Sequence, residues 1–238
     1  MRFLRSKAED RIVLRGEPDV EVTLRRSARA RRLSLRISHL DGRVTMTLPK
    51  NARLREAQAF AQEKEGWIRD YLQQRPQRSK PGIGSRIMWR GHEIPIGEGA
   101  GRSARLVDGV LRVPPEPDRQ AIRIAAFLKN AAREQLVAAT EHYAEQLGCG
   151  FGKISLRDPR SRWGSCSSQG NLMYSWRLVM APSFVLEYVA AHEVAHLIEL
   201  NHSPAYWQVV ERVFPDHRTA RQWLRRHGPS LHRYVFKD

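Results

Sequence analysis

Cysteine is nearly absent from this chain, with Cys149 and Cys166 the only two in 238 residues. Two thiols build no disulfide framework, so the fold has to rest on its core, and both are expected to be reduced. Long apolar runs are missing as well: no stretch reaches the roughly eighteen residues that a membrane span needs, and no membrane partner is expected. The opening stretch MRFLRSKAEDRIVLR is basic but lacks an apolar h-region and a small-residue cleavage site. It does not read as a secretory signal, and the cytoplasm is the expected location. Zinc-finger spacing, RNP aromatics and a basic leucine zipper do not occur. Gly97-Glu98-Gly99-Ala100-Gly101 has the glycines of a phosphate loop, yet no helix start follows, so it reads as a hairpin loop.

What is present is an ordinary apolar fraction, 41%, enough for a real core, and a strong basic excess. Lysine plus arginine number 41 against 25 acids, a net charge of +16. Such a surface attracts polyanions, among them nucleic acid, nucleotides and anionic lipid, although a merely solvated basic face explains the same composition. Part of the excess lies early, in Arg25, Arg26, Arg29, Arg31 and Arg32.

Along the chain, Leu33, Leu35 and Ile37 alternate with polar residues, as do Val44, Met46 and Leu48, and Asp41-Gly42 between them is a hairpin turn signal. Leu54 to Leu72 has helical spacing, with Phe60, Trp67, Ile68 and Tyr71 as expected core residues. A polar, proline-bearing linker runs from Gln73 to Gly82. Four short strands follow, over Arg86–Trp89, His92–Ile96, Ala104–Val107 and Val110–Val113. A long helix is expected from an N-cap at Asp118 to Leu147, stopped by Gly148. Strands at Ile154–Leu156 and Asn171–Trp176 then flank a turn rich in small residues, Pro159 to Gly170. The expected division is a β-rich N-terminal region with one amphipathic helix, residues 1–117, and a metal-binding catalytic domain, residues 118–238.

The most informative stretch is Tyr188–Trp207, which contains His192, Glu193 and His196 in the order H-E-x-x-H. Residues four apart share one face of a helix, so both imidazoles can aim at a single tetrahedral zinc. Glu193 starts on the neighbouring face, where a carboxylate can reach the attacking water as general base. Apolar neighbours on all sides imply a buried helix, where two histidines and a glutamate need a common partner. His202 is the choice for the third ligand, because Asn201 closes a helix, Ser203 caps another, Pro204 suits its first turn, and the chain can fold back there. Glu199 reads as a residue orienting an imidazole or as a solvated charge, and Glu211 as a weaker rival ligand. Arg162, Trp163, Gly164 and Tyr206 are candidate substrate-binding residues, with Arg162, Tyr206 and His217 as candidate oxyanion donors. An extended peptide could add itself as a strand near residues 162–170. Cys166 has no readable His-Asn partners and is not read as a nucleophile.

In order, Arg162-Trp163-Gly164-Ser165-Cys166-Ser167, Gly170-Asn171-Leu172, Trp176-Arg177-Leu178, Ala181-Pro182, His192-Glu193-Val194-Ala195-His196-Leu197 and Asn201-His202-Ser203 resemble the YgjP-like family of predicted zinc-dependent hydrolases, relatives of SprT-type and other zincin metallopeptidases. The resemblance is densest over residues 154–224. It implies an α+β fold: a zincin-like metallopeptidase domain with an HExxH helix, a supporting long helix and a small antiparallel sheet, preceded by a β-rich region. It also implies one zinc ion on His192, His196 and His202, with Glu193 as general base. A zinc metallopeptidase acting on a peptide or protein substrate is the leading expectation. The alternatives are a metal-dependent nucleotide or phosphoester hydrolase, and a basic nucleic-acid-associated protein with protease activity on bound proteins.

Overall fold

The computed structural model describes residues 11–38, 42–73 and 78–236. It divides into two compact units, Met1–Gln77 and Arg78–Asp238. In the first, β1 (Arg11–Leu14), β2 (Val20–Ser27), β3 (Ser34–Ile37) and β4 (Val44–Pro49) form a sheet of order β1-β2-β4-β3. Alternation decides which face is covered: Val22, Leu24, Val44, Met46 and Leu48 are buried with Ala57, Ala61 and Ile68 of α1 (Leu54–Glu63) and α2 (Glu65–Gln73). The helix expected over 54–72 is thus two, broken at Lys64 just before Gly66, a poor helix former. Trp67, expected in the core, is 50% exposed. Strands β3 and β4 pair antiparallel with Ile37 opposite Val44, but Asp41 of the expected turn lies outside the described residues, as does much of the linker, residues 74–77.

The second unit begins with β5 (Arg86–Trp89), β6 (His92–Glu98), β7 (Arg105–Val107) and β8 (Val110–Val113), in the order β5-β6-β8-β7. These strands are grouped with the N-terminal region in the sequence reading, yet Ile87, Ile96, Leu111 and Val113 share one core with Ile124 and Leu128 of the long helix. That helix, α3 (Pro117–Leu147), starts with Pro117 after Glu116, two residues before the expected cap, and ends on left-handed Gly148 at φ +63°.

A three-stranded sheet, β10-β11-β9, follows, from β9 (Ile154–Arg157), β10 (Gly164–Cys166) and β11 (Leu172–Ser175). It is mixed rather than antiparallel: β10 pairs antiparallel with β11, but β9 runs parallel to it, because the six-residue link from Asp158 to Trp163 lets the chain cross before β10 forms the hairpin. Part of the expected turn is therefore strand, and it is the sheet's edge. A 3-10 turn (Trp176–Met180) leads into α4 (Ser183–Ala195), followed by α5 (Pro204–Val213), α6 (His217–His227) and a final 3-10 turn (Gly228–Arg233). Nine of the thirteen residues of α4 are buried, so it is a core helix, apolar all round, against α3. The fold is α+β, consistent with a zincin-like metallopeptidase domain. No described helix is long and apolar enough to cross a membrane.

Candidate metal centre

α4 ends at Ala195, one residue before the second histidine, and His196 caps it in right-handed helical geometry (φ −68°, ψ −15°). The turn that follows brings His202 back over the helix. Ser203 caps α5 as expected, accepting from the Tyr206 amide at 3.3 Å, with Pro204 in the first turn. As a result, ring nitrogens of His192, His196 and His202 all lie within 4.8 Å of one another.

Hydrogen bonds fix which nitrogen each ring offers. The Tyr206 hydroxyl donates to the His192 carbonyl at 3.0 Å, so at 2.6 Å from His192 Nδ1 it accepts that nitrogen's proton. The Tyr188 hydroxyl lies 3.2 Å from the same atom. His196 Nδ1–H donates to the Glu199 carbonyl at 3.0 Å, so the group that orients this imidazole is the Glu199 backbone and not its carboxylate. Both rings therefore present Nε2 bare. Burial first, then repulsion from His196 and His202, holds His192 down at about 3, and burial lowers His196 too. Both are neutral at pH 7, as metal ligands must be.

The donor set fits zinc. Two nitrogens on a tetrahedral zinc, each about 2.0–2.1 Å from the ion, stand roughly 3.3 Å apart. The Nε2 atoms of His192 and His202 are 3.3 Å apart. Glu211, the rival ligand, is outside the cluster, with its carboxylate 3.3 Å from His217 Nε2.

Glu193 is 5% exposed, and burial pushes its carboxyl up to about 8 against an opposing pull from the Arg162 guanidinium. Gly164 gives it room: a Cβ there would fall 2.4 Å from Glu193 Oε1 and 2.6 Å from its Cγ. On either side of β10, Trp163 O accepts from Ser175 N and Ser167 N donates to Asn171 O, so by alternation Gly164 and Cys166 turn their backbone groups to the open edge. Arg162 is exposed. The Cys166 thiol is raised by burial and by the Glu193 carboxylate, the opposite of an activated nucleophile.

Two sequence candidates for substrate contact are placed differently. Tyr206 is fully buried with its hydroxyl engaged by His192. Trp163 packs between Gly228, whose added Cβ would approach its ring to 2.9 Å, and the His232 ring, 5.3 Å away. His217, a candidate oxyanion donor, is buried with no partner for Nδ1 among the described residues and lies under Trp207, their rings stacked at 5.2 Å. Trp207 also stacks on His202 at 5.8 Å, and the Arg221 guanidinium sits 4.4 Å from its ring. This support escapes a motif reading, since it joins two helices. Tyr188 does not: it stands one turn before His192 on the same face.

A family model described as "YgjP-like, metallopeptidase domain" matches residues 31–227. Among solved structures, the metallopeptidase zymogen of Pyrococcus abyssi abylysin is 26% identical over 42% of this chain and 98% of that one, with a TM-score of 0.36. No curated protein matches the chain.

Proposed function

The chain belongs to the YgjP-like metallopeptidase family, and from that premise we propose that it is a zinc-dependent peptidase with His192, His196 and His202 holding one ion and Glu193 as general base. The observation that carries the proposal is the convergence of three imidazoles, two with Nδ1 committed elsewhere, beside one buried carboxylate. A zinc ion held there would supply Lewis acidity to the scissile carbonyl and make water acidic enough to ionise near neutrality. Glu193 takes the proton of the attacking water and passes it to the leaving amine. The open edge of β10 receives an extended peptide as an added strand, which aligns the scissile bond with Glu193 through main-chain hydrogen bonds. Arg162, exposed beside Glu193, is left as the candidate donor to the developing oxyanion.

The same exposed Arg162 favours a second reading, a nucleotide or phosphoester hydrolase on the same centre. Against it, the ligand set is three nitrogens, without the carboxylates typical of two-metal phosphate chemistry. Turnover of casein, a peptide mixture and nucleoside triphosphates, measured side by side, separates the readings. Glu193→Gln should keep one zinc per chain and lose peptide hydrolysis. Full turnover in that variant refutes the assigned base, and phosphate release without proteolysis refutes the peptidase.

A further inference from the structure

The basic excess is concentrated in one place. Between Val22 and Lys50 the sequence has eight basic residues and one acidic, a net +7 of the whole chain's +16. These residues belong to β2, β3, β4 and their connections. One face of that sheet packs on α1 and α2, while residues of the other parity, Thr23, Arg25, Ser34, Arg36, Thr45 and Thr47, face away from them. Register places Thr47 between Arg25 and Ser34, and Thr45 between Thr23 and Arg36, so the two arginines stand on strands about 10 Å apart, two inter-strand steps, with the hydroxyls of β4 between them. Because β4 lies between β2 and β3, their connection passes the end of β4 and adds Arg29, Arg31 and Arg32 beside Arg25. All five arginines are exposed, and among the described residues none pairs with a carboxylate. Arg11 is different, neutralised by Glu21 at 3.1 Å.

We propose that this helix-free face binds the phosphate backbone of nucleic acid without reading its sequence. Guanidinium groups and hydroxyls are the side chains that position proteins on phosphate oxygens. None of the residues of this face is an aromatic that could stack a base, which makes the contact one of backbone alone. An anionic membrane fits less well, since the arginine-bearing connection offers Ala28, Ala30 and Leu33 as its apolar residues, and Leu33 is packed against the sheet's own core, leaving two alanines to insert. The inference stands apart from the metal centre, and binding is measured with the full chain both loaded with zinc and stripped of it.

The test is fluorescence anisotropy with a 20-base-pair DNA duplex of arbitrary sequence, repeated from 50 to 200 mM salt. Five phosphate contacts predict a log–log slope near −4.5, which is a loss of about 500-fold over that range. Arg25→Ser with Arg31→Ser and Arg36→Ser should bring the slope to about −2 with unchanged melting, while Arg225→Ser with Arg226→Ser, on α6, should leave it unaltered. Absent binding, a slope that the triple variant does not change, or arginine-dependent binding to phosphatidylserine vesicles with none to DNA would each overturn the proposal. Binding that survives removal of zinc while proteolysis stops separates this claim from the peptidase assignment.

Discussion

Gly164→Ala is the smallest change that reaches the proposed chemistry without touching a metal ligand. The new Cβ would lie 2.4 Å from Glu193 Oε1, 2.6 Å from Cγ and 2.7 Å from Cδ. Ordinary contact begins about 1 Å farther out, so either the carboxylate or the edge strand has to move by that amount. Neither has slack: Glu193 is buried between Ala191 and Val194, which are themselves fully buried, and β10 is paired to β11. Overpacking of this kind costs about 1–3 kcal/mol of stability. A displacement near 1 Å in a reacting group costs up to about 100-fold in rate. The expected result is a kcat/KM on a quenched fluorescent peptide mixture reduced by about 30–100-fold, with zinc content intact and melting lowered by a few degrees. Alanine at this position with unimpaired turnover would refute the idea that the missing side chain seats Glu193.

Trp207→Ala should raise the zinc dissociation constant about 10–100-fold in a chelator competition, because His202 loses the ring it stacks on, while Trp207→Phe should restore most of it. Arg177→Met should destabilise the fold by about 2–4 kcal/mol in urea titration: Arg177 is 6% exposed and holds the carbonyls of Leu231 and Tyr234, which would lose their donor, while Asp158, bonded through both oxygens at 2.6 and 3.0 Å but exposed, would be solvated at little cost. His232 is held down at about 4 by burial and then by the Arg177 guanidinium, so it stays neutral in the fold while the unfolded chain takes up a proton. Its contribution is complete above about pH 6.5 and is lost as pH falls toward 4; allowing for partial exposure, about 1–2 kcal/mol disappears between pH 7 and pH 5. Replacing it by Phe should flatten that part of the urea-midpoint profile.

The cluster of three histidines is legible because its constraints are local. H-E-x-x-H places two imidazoles on one face by helical period alone, and Asn-His-Ser-Pro carries its own turn and cap chemistry. Even there, the helix stops at Ala195, and the Glu199 group that orients His196 is a carbonyl, which no side-chain pattern encodes. What escaped depends on contacts distant in sequence. The small residue at 164 matters because Glu193 arrives from another element, and the Trp207 stack needs both α5 and α6. Tyr206, a candidate substrate contact in the sequence, is fully buried with its hydroxyl on His192, a placement that depends on how α5 packs on α4. The strands of residues 86–113 read correctly as strands, yet their apolar faces did not reveal that their partner was α3.

The most direct measurement is metal content by mass spectrometry after exhaustive dialysis, for the native chain and for His202→Ala. One zinc per native chain, with retention falling at least tenfold in the variant, is the expected result. A native chain that keeps no divalent metal, or a variant that holds it as tightly, would contradict a centre built from His192, His196 and His202.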